Sequence, residues 1–343
     1  MKTLQLILGC LLAGASVFAS PPRDSYPKKG RALPCQGQDP ERSVWPNGNL
    51  LWGTGRTEVG KEKSSVLAAV DARRGRRGAF LLKGVHVKEG HLAATPFFPK
   101  GLVGAVFQGI ASDGHPVEVA LCGAEPVAQD PAMVWYRIEI WNAGTESWEN
   151  PCVATQRVPE PRALAVKGVW DETGARRDNP DQFTFACENG AIAKCVTWGY
   201  KPWEVMEGRS LQQLHQACTR MARADYCGDG HSHTLHDTPI DMYDDLSVQT
   251  RAREATEGWE PERANFEAAW TPDGAWCLSH TRDGQAAETI LAQCPGRFEM
   301  AEEALGEDDR CTVRRKGERV ESVLLRNRSY YKTRPSLHEG AVQ

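Results

Sequence analysis

Apolar and polar residues alternate along "MVWYRIEIW" at 133–141. Val134, Tyr136, Ile138 and Ile140 fall on one face of an extended chain, and Trp135, Arg137, Glu139 and Trp141 on the other. A period of two predicts a strand with one face fit to bury. Just upstream, "GLVGAVFQGIASDGHPVEVALCG" places two apolar runs around "SDGH", which predicts a hairpin. Strand-like runs recur in "ALAVKGVW", "QFTFAC" and "VESVLLRNRSYY", and "FEAAWTPDGAWCL" reads as a hairpin turned by "TPDG". After Asn189-Gly190 the pattern permits either a hairpin or a helix starting in "AIAKCV".

The clearest helical signal begins at Ser210. "SLQQ" has the form of a capping box, with Ser210 as N-cap and Gln213 three residues on. Leu211, Leu214, Cys218, Met221 and Ala222 then recur at intervals of three and four. The helix is expected to reach Arg223 or Tyr226, with Gly228 and Gly230 as its stop. The fold class that follows is β-rich α+β. An antiparallel sheet occupies the N-terminal half, and a disulfide-stapled, helix-containing region the C-terminal half.

The first residues read as an export signal. Lys2 precedes the apolar "LQLILGCLLAGASVF", and "VFAS" offers small residues for cleavage after Ala19. "ILGC" also has the form of a lipobox, so a lipidated Cys10 is the one membrane anchor the sequence suggests. The expected organisation is a signal peptide at 1–19 and a Pro-rich charged linker at 20–44. A β-rich region at 45–155, a disulfide-rich region at 156–331 and a polar tail at 332–343 follow.

Removing Cys10 leaves Cys35, Cys122, Cys152, Cys187, Cys195, Cys218, Cys227, Cys277, Cys294 and Cys311. An even set in an exported chain argues for disulfides and for a periplasmic, outer-envelope or extracellular location. No C-x-x-C pair suggests a cysteine zinc site.

Forty-one basic against 45 acidic residues give a formal net charge of −4, which supplies no attraction for nucleic acid. The basic run "RRGRRG" at 73–78 reads as a solvated turn. Eleven tryptophans suit a β-rich core, or, if two indole faces are uncovered and coplanar, carbohydrate binding. The G-x-S-x-G, P-loop and dinucleotide-binding motifs are missing. Asp241 with Asp244 or Asp245 is the nearest thing to an acid–base pair, and adjacent carboxylates of this kind are usually solvated or capping. Asn327-Arg-Ser329 matches a glycosylation sequon.

The densest polar stretch is "ADYCGDGHSHTLHD" at 224–237. His231, His233 and His236 follow H-x-H-x-x-H, which suits a zinc-bound, acidified water and hence a metal-dependent hydrolase. The spacing is similar to the first ligands of metallo-β-lactamase-like enzymes. Here Leu235 stands where those have aspartate, and a helix precedes the motif in place of a strand. Asp225, Asp229 and Gly230 match positions one, five and six of an EF-hand loop, but Cys227 and His236 break the pattern at three and twelve. The bland reading is a polar turn after a helix, its side chains bonded to local amides. It calls for no cofactor.

Three strings, "FTFACENGAIAKCVTWGYKPW", "LHQACTRMARADYCGDGHSHT" and "TPIDMYD", together resemble the bacterial ADYC domain, over roughly 120–300. Its name matches Ala224, Asp225, Tyr226 and Cys227 here. The resemblance implies export and carries no catalytic residue onto this chain. His233 lies within the resembling "SHT", whereas His231 and His236 lie outside it. If the helix persists from Cys218 to Cys227, about 13.5 Å separates them, beyond the ~7 Å a disulfide spans. Two antiparallel elements then allow nested bridges, Cys195–Cys218 inside Cys187–Cys227. Closeness in the chain suggests Cys122–Cys152. The role expected is a binding or structural one at the cell envelope, its ligand and partner unspecified. The zinc hydrolase and carbohydrate binding stand as alternatives.

Overall fold

The computed structural model describes residues 31–36, 49–54, 67–94, 99–154, 157–235 and 238–330. The expected signal peptide with Cys10, most of the linker, the polar tail and His236 lie outside the described residues.

The first half builds an antiparallel barrel. Its strands are β1 (Leu67–Arg77), β2 (Phe80–Leu81), β3 (Val106–Ala111), β4 (Pro116–Pro126), β5 (Val134–Asn142), β6 (Ser147–Glu149), β7 (Ala163–Lys167) and β8 (Gln182–Cys187). Pairing runs β1-β3-β4-β5-β7-β8 and returns from β8 to β1, so the six long strands close on themselves. β2 adds to β1, and β6 adds to β5. Closure removes the exposed edges that an open sheet would present.

The alternation in β5 does what its period requires. Val134, Tyr136, Ile138 and Ile140 are buried in the barrel cluster with Phe107, Phe183 and Phe185. Phe183 lies edge-on to Phe107 and to Phe185, at centroid distances of 6.3 and 5.0 Å. A barrel this narrow is filled by its own side chains. On the outer face Glu139 is also buried, because its carboxylate accepts the Cys35 amide at 2.8 Å beside the Cys35–Cys122 disulfide. The hairpin at "SDGH" joins β3 to β4 as expected. The sheet does not stop at the boundary expected near 155. β7 and β8 lie beyond it in sequence and complete the barrel. Arg73–Arg77 belongs to β1 and is not a turn, with a register irregularity between Asp71 and Gly75.

Asn189-Gly190 leads into a helix, α1 (Ala191–Thr197), and not a hairpin. The α1 amides of Ala191 and Ile192 bond to the carbonyls of Leu50 and Leu51. A Cβ on Gly190 would press on the Trp52 backbone, so this approach requires glycine. α2 (Gln212–Arg223) starts one residue later than the capping box implies, with Leu211 as N-cap and the Ser210 hydroxyl accepting the Gln212 amide at 3.3 Å. It stops at Ala224, which takes a left-handed φ of 51°, before either glycine.

The second sheet comprises β9 (Ile240–Asp244), β10 (Ala264–Thr271), β11 (Gly274–Leu278), β12 (Phe298–Gly306), β13 (Asp309–Arg315) and β14 (Leu325–Tyr330), with α3 (Glu288–Gln293) before β12. Its order is β9-β14-β10-β11-β13-β12, all antiparallel. The hairpin at "TPDG" joins β10 to β11. Leu214, Cys218 and Met221 of α2 pack with Trp270, Leu278 and Val313 of this sheet.

Five disulfides staple the chain: Cys35–Cys122, Cys152–Cys187, Cys195–Cys218, Cys227–Cys294 and Cys277–Cys311. The expected pairs Cys187–Cys227 and Cys122–Cys152 are therefore corrected. Cys187 ends a barrel strand and meets Cys152 beside it, whereas Cys227 faces the loop before β12. Five such bonds point to an oxidising, extracytoplasmic environment. Among the described residues no helix is long and apolar enough to cross a membrane.

Candidate functional site

The chain leaves α2 through Ala224, whose left-handed turn aims the next carboxylate back at the loop that follows. Asp225 is wholly buried. Its Oδ1 accepts the amides of Gly228 at 2.9 Å and Asp229 at 3.2 Å, and its Oδ2 accepts the Gly230 amide at 3.1 Å and Arg220 Nη1 at 2.6 Å. The loop is wrapped around one carboxylate, the arrangement in which a buried charge is tolerated. The left-handed φ of Gly228 and its approach to the Asp273 carbonyl both require glycine. With both Asp225 oxygens holding N–H donors, and Cys227 bonded to Cys294, the calcium-loop reading fails.

Tyr226 points the other way, into the core beneath α2. Its ring stacks on Trp270 at 5.3 Å and 22°. Its hydroxyl donates to Glu267 Oε1 at 3.1 Å and accepts the Arg282 amide at 2.7 Å. Arg282 in turn donates to both Glu267 oxygens, at 2.7 and 3.1 Å, and to the Met221 and Ala222 carbonyls at the end of α2. Cations at a helix C-terminus satisfy carbonyls left without an intrahelical donor. Burial pushes the Tyr226 phenol well above its usual value, and the Glu267 charge adds to this. Burial alone would raise the Glu267 carboxyl, but the Arg282 guanidinium beside it holds it below the ordinary range.

The histidines part company. His231 is exposed, whereas His233 is buried at 2 % exposure. His233 Nδ1 lies 3.0 Å from Asp283 Oδ2, and Nε2 has no partner among the described residues. The two rings meet edge to face at 4.8 Å. Among the described residues, no group of three convergent metal-ligand atoms includes either histidine. Burial opposes ionisation of Asp283, but hydrogen bonds, led by that from His233, bring its carboxyl down to about 2.

The other candidates resolve into structural roles. Asp241 accepts Arg328 at 2.7 and 3.0 Å and the Ala252 amide at 3.0 Å. Asp244 accepts the amides of Leu246, Val248 and Gln249 and the Tyr200 hydroxyl. These carboxylates shape a turn and pin a strand, which removes the acid–base reading. Asn327 is buried in β14, where its Oδ1 accepts the Trp270 indole N–H at 2.8 Å, so the sequon is inaccessible. Among the described tryptophans none is exposed; Trp141, Trp198 and Trp203 are half-buried and the others buried.

The ADYC domain profile matches residues 99–284, more than half of the chain. The chain belongs to the ADYC domain family. No curated protein and no solved structure matches it.

The ADYC match begins just before β3, earlier than the 120 expected, and ends beyond Arg282. The four naming residues thus act as a hub. Ala224 ends the helix, Asp225 folds the loop, Tyr226 anchors it to Glu267 and Arg282, and Cys227 ties it to Cys294. The Cys227 carbonyl accepts Arg297 Nη1 at 2.5 Å, and Arg315 Nη2 donates to the Asp273 carbonyl at 2.8 Å beside it. Sequence reasoning missed Glu267, Arg282 and Arg315. The only available signal was a Glu or Arg inside an apolar strand or beside one, a pattern shared by many exposed residues.

Proposed function

We propose that this chain is an exported bacterial envelope protein with a binding or structural role, in which the ADYC region is a rigid, covalently stapled module. One observation carries the reading: Asp225 and Tyr226 spend their polar atoms on buried internal bonds, and Cys227 is in a disulfide. Groups committed in this way position the fold and are not offered to a substrate. The apolar segment at 1–19 serves as the export signal, with Cys10 as the residue that would carry a lipid. Periplasm, outer envelope and extracellular space all fit this reading.

Export of the full chain in a bacterium, followed by fractionation, mass analysis of the mature N-terminus and a thiol count, tests it. Cleavage after Ala19, or a diacylated Cys10, with almost no free thiol is expected. Retention in the cytosol with mostly free thiols overturns it.

The zinc hydrolase at His231, His233 and His236 keeps one observation in its favour. Asp283 lies behind His233 Nδ1, and the buried Nε2 is unpartnered among the described residues, as behind a metal-bound imidazole. Zinc analysis of untagged protein decides between the readings. One equivalent retained, and lost in His233→Ala, moves the reading to a metal centre. Metal-free protein whose melting is unchanged by chelation removes it.

A further inference from the structure

Phe80 and Leu81 are 80 % and 73 % exposed, the two most exposed large apolar residues described. They are consecutive in β2, so their side chains leave opposite faces of the strand. Both are bare only because this tip of the β1–β2 hairpin stands clear of the molecule on each side. The hairpin turns through two residues, with Gly78 at a φ of +60° in the first position.

The surroundings of the tip are cationic. Residues 72–88, "ARRGRRGAFLLKGVHVK", contain six Lys and Arg and no acidic residue, in a chain whose net charge is −4. Arg77 stands opposite Phe80 and Arg76 opposite Leu81 across the ladder. Arg73, Arg74, Arg77, Lys83 and Lys88 are all exposed. Arg73 is held by Asp181 at 3.0 Å and Arg76 by Glu118 at 2.9 Å, while Arg74, Lys83 and Lys88 make no ion pair among the described residues. Two adjacent large apolar side chains left bare beside exposed cations form an amphipathic tip, a combination that marks a contact surface.

We infer that the β1–β2 hairpin is a membrane-contact tip: Phe80 and Leu81 enter the interfacial layer of an anionic lipid surface while the flanking cations engage its phosphates. A two-sided apolar tip suits insertion between headgroups, where both faces are covered at once, better than docking on a flat protein surface. Each Lys or Arg near an anionic leaflet strengthens attachment by about fivefold, the effect falling off within a Debye length. The inference holds whether or not Cys10 is lipidated.

Flotation of the exported, purified protein with vesicles of phosphatidylglycerol and phosphatidylcholine, against vesicles of phosphatidylcholine alone, is the test. The parent should partition onto the anionic vesicles and be released by raised salt. F80S/L81S and R74E/K83E should each lower the partition coefficient at least about tenfold. Both variants alter exposed side chains, so circular dichroism and melting should match the parent. Parent and variants all carry Cys10→Ser, so no lipid chain at that position contributes to partition. Equal partition onto zwitterionic vesicles, no partition by the parent, or unchanged partition in either variant overturns the inference. Heparin retention that survives F80S/L81S without vesicle binding also overturns it, making the strip a site for soluble polyanions.

Discussion

Glu267 and Arg282 meet through two hydrogen bonds, at 2.7 and 3.1 Å, and neither side chain is exposed to solvent. The pair sits under the end of α2 and receives the Tyr226 hydroxyl on the same carboxylate. Removing one member leaves a buried charge without a partner, which costs about 3–5 kcal/mol. Arg282→Met should therefore lower the unfolding free energy by that margin, read from urea denaturation. The double variant E267Q/R282M should recover a large part of the loss, because no bare charge remains. A double variant destabilised by the sum of the losses in Glu267→Gln and Arg282→Met would mean the pair has no special coupling.

Asp225 gives a second test of the hub. Asp225→Asn replaces one acceptor oxygen with a donor that faces either amides or Arg220. The expected loss is about 3 kcal/mol, read as a fall in melting temperature, since hydrogen bonds to a charged group are the strong ones. Asp225→Glu should not rescue it, because the loop amides converge at a fixed reach from Ala224. A melting temperature within a degree of the parent would show that the amides find other acceptors.

Acid sensitivity follows from a buried histidine and a half-buried aspartate. Burial pushes the His215 imidazole down from 6.5 to about 4, its Nε2 lying 3.1 Å from the Ile192 carbonyl. The unfolded chain takes up that proton near 6.5 and the folded chain does not until about 4, so stability falls as pH drops through this window. The loss is about 3 kcal/mol. Asp283, held down to about 2 from 3.8, adds a second loss below the His215 window. Unfolding midpoints measured from pH 7 to 3 should decline, and His215→Gln should flatten the upper part of the curve.

Cys195–Cys218 joins α1 to α2 across 23 positions. The chain-entropy argument gives about 3 kcal/mol for a loop of that size. C195S/C218S should lose that stability without changing the other four bridges. Peptide mapping of the parent should recover Cys152 with Cys187 and Cys227 with Cys294.

Much of the secondary structure was legible because it is written in short range. The alternation in β5, the turns at "SDGH" and "TPDG" and the apolar stripe of α2 each declare themselves within a dozen residues. The end of α2 was less legible. Glycine was the expected stop, and Ala224 serves instead, because the Asp225 bonds beyond it outweigh the cost of a left-handed alanine. The candidate site was legible as a place and not as a role. The histidines drew notice by composition, while the bonds converge on Asp225 and Tyr226 from residues up to 89 positions away.

By itself the sequence determined the β-rich class, the main helix, the turns and an even cysteine set suited to an oxidising compartment, since each depends on neighbours along the chain or on a count. Only the tertiary structure decided how the cysteines other than Cys195 and Cys218 pair, that six strands close into a barrel across the expected boundary, and that Glu267 and Arg282 neutralise each other. Those outcomes depend on which distant segments come within a few ångströms, and a buried charge or thiol carries no local mark of the partner it will meet.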